Sequence, residues 1–125
     1  MAAADDVRRI ALALPEVTEQ PWHGTPGFRV KGTSFLRLRT EAEGALVAFV
    51  PDLEDKDALL ESDPAVFFTT PHYDGYATVL VRLEAVDTDT LTEVIVDSWR
   101  VKAPARVRAA HEHLLPGADP SASAE

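Results

Sequence analysis

The stretch that decides the fold is "FRVKGTSFLRLR", residues 28–39. Apolar side chains alternate with cationic ones on both sides of Gly32, which is the pattern of a β-hairpin. A two-residue turn at Gly32 and Thr33 would mix both kinds of side chain on each face, whereas an odd loop such as residues 32–34 places the apolar ones together. We therefore expect a three- or five-residue connection, with the cations of the hairpin pointing outward from one face: Arg29, Lys31, Arg37 and Arg39.

The sequence on either side of this hairpin predicts the remaining elements. Residues 15–27, "PEVTEQPWHGTPG", are rich in Pro and Gly, so we expect a loop there. The segment "ALVAFV" at 45–50 is nearly all apolar and predicts a central strand. Two further strands are expected around the loop "PHYDGY" at 71–76.

Apolar stripes at helical spacing predict the helices. A short fourth helix is expected to begin near Pro104. The stripes of the first three helices consist of Val7, Ile10, Ala11 and Leu14, then Leu53, Leu59 and Leu60, then Leu91, Val94, Ile95, Ser98 and Trp99.

These elements predict an α+β fold of two layers, in the order α-β-β-β-α-β-β-α-α. The strands are too closely spaced along the chain for parallel crossovers, so we expect an antiparallel five-stranded sheet with helices packed on one face. A chain of 125 residues suits one domain. We assign that domain to residues 1–115 and expect a disordered tail at 116–125.

The charge of the chain is unevenly distributed. Its formal net charge is −9, yet residues 20–39 and 98–111 each carry +4 and no acid. Residues 40–97 hold fourteen acids against Lys56 and Arg82, a net of −12. An acidic protein repels nucleic acid at a distance, but a local basic patch can act within a Debye length of about 8–10 Å. The simplest alternative is that the basic segments only offset the acidic middle.

Five segments in this order resemble the MmcQ/YjbR-like proteins: "VRRIALALPEVTE", "HGTPGFRVKGTSF", "VPDLEDKDALLESDPAVFF", "YDGYATVLVRLEAVD" and "SWRVKAPARV". The resemblance extends to about residue 108. It implies a compact α+β domain with an antiparallel sheet and a DNA-binding function, with basic and aromatic positions around the sheet as the contact surface. Family members often carry a lysine just before the Val50–Pro51 step, where this chain has Phe49.

From this resemblance and the charge pattern we expect weak, non-enzymatic DNA binding. The contact residues are expected on the basic hairpin and around the start of the last helix: Arg29, Lys31, Arg37, Arg39, Arg100, Lys102 and Arg106.

The sequence offers little for catalysis or for metal binding. It contains no nucleophile elbow, no Gly-rich phosphate loop and no zinc-protease motif. It has no cysteine, and His111 and His113 are two residues apart, so they would face different ways on a helix. His23 and His72 lie in separate loops and could meet only through the fold. We therefore expect neither an enzyme, nor a cofactor, nor a bound metal.

Two other functions remain open. The aromatic loops at 21–27 and 71–76 could form a small-molecule or peptide-binding module, because exposed rings are good stacking surfaces. Alternatively, the acidic segments 52–63 and 84–97 could bind a basic partner, as in an adaptor. The ring-bearing residues of the first alternative are Trp22, His23, His72, Tyr73 and Tyr76.

The sequence shows neither the pattern of a membrane helix nor that of a signal peptide. No apolar run approaches the roughly 18 residues of a membrane helix. The amino terminus, "MAAADDVRR", has acids where a signal peptide has basic residues. We expect a cytoplasmic monomer or weak dimer that does not contact a membrane.

Overall fold

A computed structural model describes residues 2–22, 24–40, 42–112 and 115, without the side chain of Trp22. The six strands form one antiparallel sheet in the order β1-β2-β3-β4-β6-β5. The elements are α1 (Ala4–Leu12), β1 (Val17–Trp22), β2 (Thr25–Val30), β3 (Thr33–Leu38), β4 (Ala45–Phe49), α2 (Leu53–Ser62), β5 (Phe67–Phe68), β6 (Thr78–Arg82), α3 (Thr88–Lys102) and α4 (Ala105–His111).

The α+β class and the antiparallel sheet are confirmed, but the number of strands and their order were predicted wrongly. The chain runs α-β-β-β-β-α-β-β-α-α because β1 occupies part of the segment expected to be a loop. β1 lies at the edge of the sheet and pairs only with β2, and Pro21 stands opposite Pro26. An edge strand tolerates proline, since one side of it needs no ladder hydrogen bonds. The Pro and Gly content therefore indicated an edge strand and not a loop.

The hairpin of β2 and β3 differs from its predicted register. Its connection is the two-residue turn Lys31–Gly32, with positive φ of 49° and 82°, as in a type I′ turn. The extra residue lies within β3: Phe28 pairs with Leu36, whereas Arg29 pairs with Ser34. The one extra residue that the prediction placed in the loop therefore lies in this β-bulge, where it shifts the pairing register by one. The predicted connection of three or five residues is wrong, but the apolar side chains still gather on one face.

The main core lies between one face of the sheet and the helices. The stripe predicted for α3 is buried in full, and Trp99 is fully enclosed with its Nε1–H donating to Pro15 O at 3.0 Å. The buried apolar side chains of α1, α3 and α4 all belong to this core. No helix in the described part of the chain is long and apolar enough to cross a membrane.

The inward side of α2 was predicted less well. Leu53 is 49% exposed, and Leu59 and Leu60 are half-buried. The buried residue of α2 is Lys56, because its ammonium donates to two carbonyls of the loop after β5.

The opposite face of the sheet carries a smaller apolar cluster. Ala45, Val47 and Leu80 are buried there, with Phe68 and Tyr73 packed against them. No residue of a described helix belongs to this cluster. Among the described residues, the sheet therefore has one face covered by helices and one face covered by its own side chains and a loop. We call the second the open face.

The domain boundary proposed at residue 115 and the disordered tail at 116–125 remain predictions, because the tail lies outside the described residues.

Candidate functional site

Strand register brings arginines from three strands to the open face. Gly27 pairs with Arg37, Arg37 with Val47, and Val47 with Leu80, so these residues share a face. Ala45 of the same face pairs with Arg82. Alternate residues of a strand point the same way. Four arginines therefore belong to the open face: Arg29, Arg37, Arg39 and Arg82.

Arg82 is a residue that the sequence interpretation missed. Its guanidinium carbon lies 4.1 Å from the centre of the Phe68 ring, and Nη1 donates to Pro64 O at 3.3 Å. The guanidinium thus covers an aromatic ring of the open face, a favourable cation–π contact. The alternation in "TVLVR" (residues 78–82) could have placed Arg82 on the same face as Leu80.

Arg39 is held by an acid and a tyrosine. Its Nη2 lies 2.8 Å from Glu43 Oε2, and its Nη1 donates to Tyr73 Oη at 3.4 Å. The hydrogen bond to Glu43 raises the pKa of Arg39, and the same bond lowers the pKa of Glu43. Arg39 therefore stays charged but shares its charge with Glu43, while Tyr73 brings the loop 71–76 to the open face.

Arg37 lies nearer the middle of the open face, and Arg29 lies nearer the hairpin turn. Arg37 Nε donates to Thr25 Oγ1 at 3.3 Å. Arg29 is half-buried and forms no ion pair with any residue that the structure describes. The alternate positions 37 and 39 are about 6.5–7 Å apart along β3.

Lys31 does not join these arginines. It lies in the turn between β2 and β3, and its Nζ is 3.3 Å from Glu16 Oε2. The two-residue turn moves Lys31 out of the strand, so the expected alternation ends at Val30.

The second basic segment lies at the end of α3 and on α4. Arg100 is bound by two acids, with Nε 2.8 Å from Glu112 Oε1 and Nη1 3.3 Å from Asp97 Oδ1. Arg106 is exposed on α4. Lys102 Nζ lies 4.4 Å from the centre of the Phe49 ring. α3 therefore places an ammonium over the ring of Phe49 in β4.

The aromatic loops are only partly brought together. His72 packs edge-on against Tyr73, with ring centres 4.7 Å apart, and Tyr76 is 65% exposed. A cavity of about 270 Å³ lies beside His72 and Tyr73, against Arg39 and Phe68. Pockets that bind drug-sized ligands measure about 300–1,000 Å³, so this cavity is slightly smaller than that range. His23 and the side chain of Trp22 lie outside the described part of the structure.

The family pattern of YjbR matches residues 12–101, which include the whole sheet, α2 and all of α3 except its last residue. The chain belongs to the YjbR family. Uncharacterized proteins of Mycobacterium tuberculosis (Rv2570) and Mycobacterium bovis (Mb2600) are each 37% identical to it over 117 residues, covering 83% of this chain and 91% of the relative. The resemblance inferred from the sequence is thereby confirmed.

A solved structure shares the fold of this YjbR-family chain. The crystal structure of Deinococcus radiodurans protein DR2400, a DUF419 domain, superposes with a TM-score of 0.72 and covers 95% of this chain and 96% of that one. DUF419 denotes the same family. The two sequences are 23% identical, so the likeness supports the fold alone.

Proposed function

We propose that this protein binds DNA weakly, through phosphate contacts to a single strand lying along the open face. The observation that carries the proposal is the placement of Arg29, Arg37, Arg39 and Arg82 on a sheet face that no described helix covers. Guanidinium groups recognise phosphate oxygens in a forked geometry. The spacing of about 6.5–7 Å between alternate strand residues is comparable to the separation of phosphates along one DNA strand.

The shape of the open face favours a single strand over a duplex. Reading a duplex in the major groove requires a projecting helix or β-ribbon, and the open face is the broad side of a sheet. Single strands bind instead to basic surfaces that also offer aromatic rings for stacking. Tyr73 and His72 stand at the margin of the open face and supply such rings.

The acidic charge of the rest of the protein limits the expected affinity for DNA. With a formal net charge of −9, the whole molecule repels DNA, so only short-range contacts contribute. We expect a dissociation constant of about 10⁻⁴–10⁻⁶ M without sequence preference. If four phosphates are neutralised, log K should fall with log salt at a slope of about −2.8, since single strands lose about 0.7 per contact.

Paired charge variants test the proposal. We expect Arg37→Gln with Arg82→Gln to lower the affinity for fluorescein-labelled oligo(dT) at least about tenfold, as measured by anisotropy at two salt concentrations. The matched control is Arg9→Gln with Arg108→Gln, which removes the same charge from α1 and α4. It should change the affinity less than about threefold, because it affects only long-range repulsion.

Circular dichroism and thermal melts show whether both variants remain folded. An equal loss of affinity in the two variants would mean that net charge alone governs binding. The proposal fails in that case, and it fails equally if the wild-type protein leaves oligo(dT) unbound. A duplex that binds more tightly than oligo(dT) would contradict the assignment to a single strand.

A further inference from the structure

A second surface lies between α2 and α3, away from the open face. The two helices form the walls of a cleft of about 990 Å³. Ala58 and Leu59 line it from α2, and Val94 and Val101 line it from α3. The lining also includes Phe67 of β5. Its interior is thus largely apolar although it is open to solvent.

The dimensions of this cleft suit a helix. Its lining residues on α3 run from Thr90 to Val101, which corresponds to about 16 Å at 1.5 Å per residue. That length equals about three helical turns. Grooves of this kind take up the apolar side of an amphipathic helix.

Acids line both walls of the cleft. Asp55 and Asp63 stand on the α2 side, and Glu93 and Asp97 on the α3 side. Arg100 and Arg108 line it near the end of α3, but Arg100 is already paired with Asp97 and Glu112. The cleft is therefore acidic along most of its length and basic only at one end.

The surrounding segments extend this acidic surface. Residues 52–63 contain six acids against Lys56, and residues 84–97 contain five acids and no base, so each segment has a net charge of −5. Lys56 directs its ammonium to the carbonyls of Tyr73 and Tyr76 and forms no ion pair with a described acid of these segments. Among the residues that the structure describes, Asp97 is the one acid of the two segments in an ion pair.

We propose that the α2–α3 cleft binds a basic amphipathic helix of another protein. The apolar side of that helix would pack on Leu59, Val94 and Val101, and its lysines and arginines would face the acids on the rims. The charge decides against a small organic cation as the occupant, because one or two positive charges would leave most of the two acidic segments unmatched. The charge also decides against nucleic acid, which the same acids repel.

A pattern-controlled peptide tests this assignment. The probe is a labelled Leu–Lys peptide of about 14 residues whose leucines recur at i, i+3, i+4 and i+7. Its control is a peptide of the same composition in scrambled order. We expect the amphipathic peptide to bind at least about tenfold more tightly than the scrambled one in anisotropy titrations, because only the ordered stripe can fill the cleft.

A variant and a matched control locate the binding. Ala58 is exposed on the α2 wall, so Ala58→Arg should preserve the fold and place a cation inside the cleft. Ala13→Arg adds the same charge at an exposed position outside the cleft. We expect Ala58→Arg to weaken peptide binding at least about tenfold and Ala13→Arg to weaken it less than about twofold.

Each contrary result would overturn the proposal. Equal binding of the two peptides, or equal effects of Ala58→Arg and Ala13→Arg, would reduce the interaction to general charge attraction. Tighter binding of a small amphiphile such as dodecyltrimethylammonium would make the cleft a small-molecule site. The variant Arg37→Gln with Arg82→Gln should retain peptide binding, so failure of the DNA proposal leaves this one intact.

Discussion

Ser98 is a polar residue in the otherwise apolar stripe of α3, and its hydroxyl joins two strands. The fully buried Oγ donates to Phe35 O and accepts from Phe49 N–H at 2.9 Å. Phe35 is the extra residue of the β3 bulge, and a bulge leaves backbone groups outside the regular ladder. A buried carbonyl without a partner is costly. The hydroxyl therefore compensates for the bulge that sorts apolar and basic side chains onto opposite faces.

We expect Ser98→Ala to lower the free energy of unfolding by about 1–3 kcal/mol, because it leaves Phe35 O and Phe49 N–H unpaired in the interior. Ser62→Ala is the matched control: Ser62 is exposed, and its Oγ donates to Leu59 O within α2. That change should stay within about 0.5 kcal/mol. Urea denaturation of both variants measures the difference. Equal losses would show that the bridge between the strands contributes nothing specific.

At the scale of elements, Lys56 attaches α2 to the loop 71–76. It is 4% exposed, and its Nζ donates to Tyr73 O at 2.7 Å and to Tyr76 O at 2.9 Å. These two bonds hold the segment that carries Tyr73, whose hydroxyl accepts from Arg39 on the open face. A buried lysine thus supports the position of an aromatic ring at the candidate DNA surface.

We expect Lys56→Met to loosen this loop. Hydrogen bonds to charged groups contribute about 1.5–3 kcal/mol, and the variant leaves two carbonyls without their donor. Amide hydrogen exchange in residues 71–76 should accelerate, and oligo(dT) affinity should fall with it. Lys102→Met, which removes an equal charge beside Phe49, should leave exchange in 71–76 unchanged. Unaltered exchange in Lys56→Met would show that the loop holds its conformation without the lysine.

At the scale of the whole molecule, the sheet separates opposite charges. Four arginines lie on the open face, one of them paired with Glu43, while segments 52–63 and 84–97 carry eleven of the twenty-one acids. Among the described residues, three carboxyl groups have lowered pKa values: Asp87 accepts from Thr90 N–H, Asp6 accepts from Ala3 N–H, and Glu43 bonds Arg39. A lowered pKa means that the folded state favours the charged form. The stabilisation of the fold by each carboxyl group is present in full above the pKa of that group in the unfolded chain. It is lost as the pH falls through the pKa of the group in the folded state.

Two effects therefore oppose each other as the pH falls from 7. Self-repulsion at a net charge of −9 weakens as the pH approaches the isoelectric point near 4.8, which favours the folded state. As the pH falls below about 4, the contribution of the three carboxyl groups decreases, and it is lost once they protonate in the folded state at their lowered pKa values. We expect the thermal midpoint to be highest near pH 5 and to fall on acidification below about pH 4.

Asp87→Asn separates these two effects, since asparagine also caps helices but does not titrate in this range. The difference in stability between wild type and this variant should shrink as the pH falls from about 5 to 3. A difference that is constant over this range would contradict the assignment of a lowered pKa to Asp87.

Local patterns in the sequence were sufficient to predict much of this molecule. The stripe from Leu91 to Trp99 identified α3 and its buried side, because helical periodicity is a property of neighbouring residues. The alternation around Gly32 also showed that one extra residue was needed to gather the apolar side chains of the hairpin. The family resemblance and the α+β class followed from the same kind of information. The placement of Arg37 and Arg39 on one face needed only the two-residue period of a strand.

The tertiary structure alone decided the features that depend on distant partners. Pro21 could be read as part of a strand only once β1 was known to lie at the edge, opposite Pro26. The extra residue could sit in the turn or in a bulge, and Ser98, sixty-three positions from Phe35, favours the bulge. Lys56 is buried because carbonyls of another segment accept its protons, and Arg82 joins Arg37 through the pairing of β4 with β6. Periodicity shows which side of a helix or strand is apolar, but only tertiary packing determines which other element covers that side.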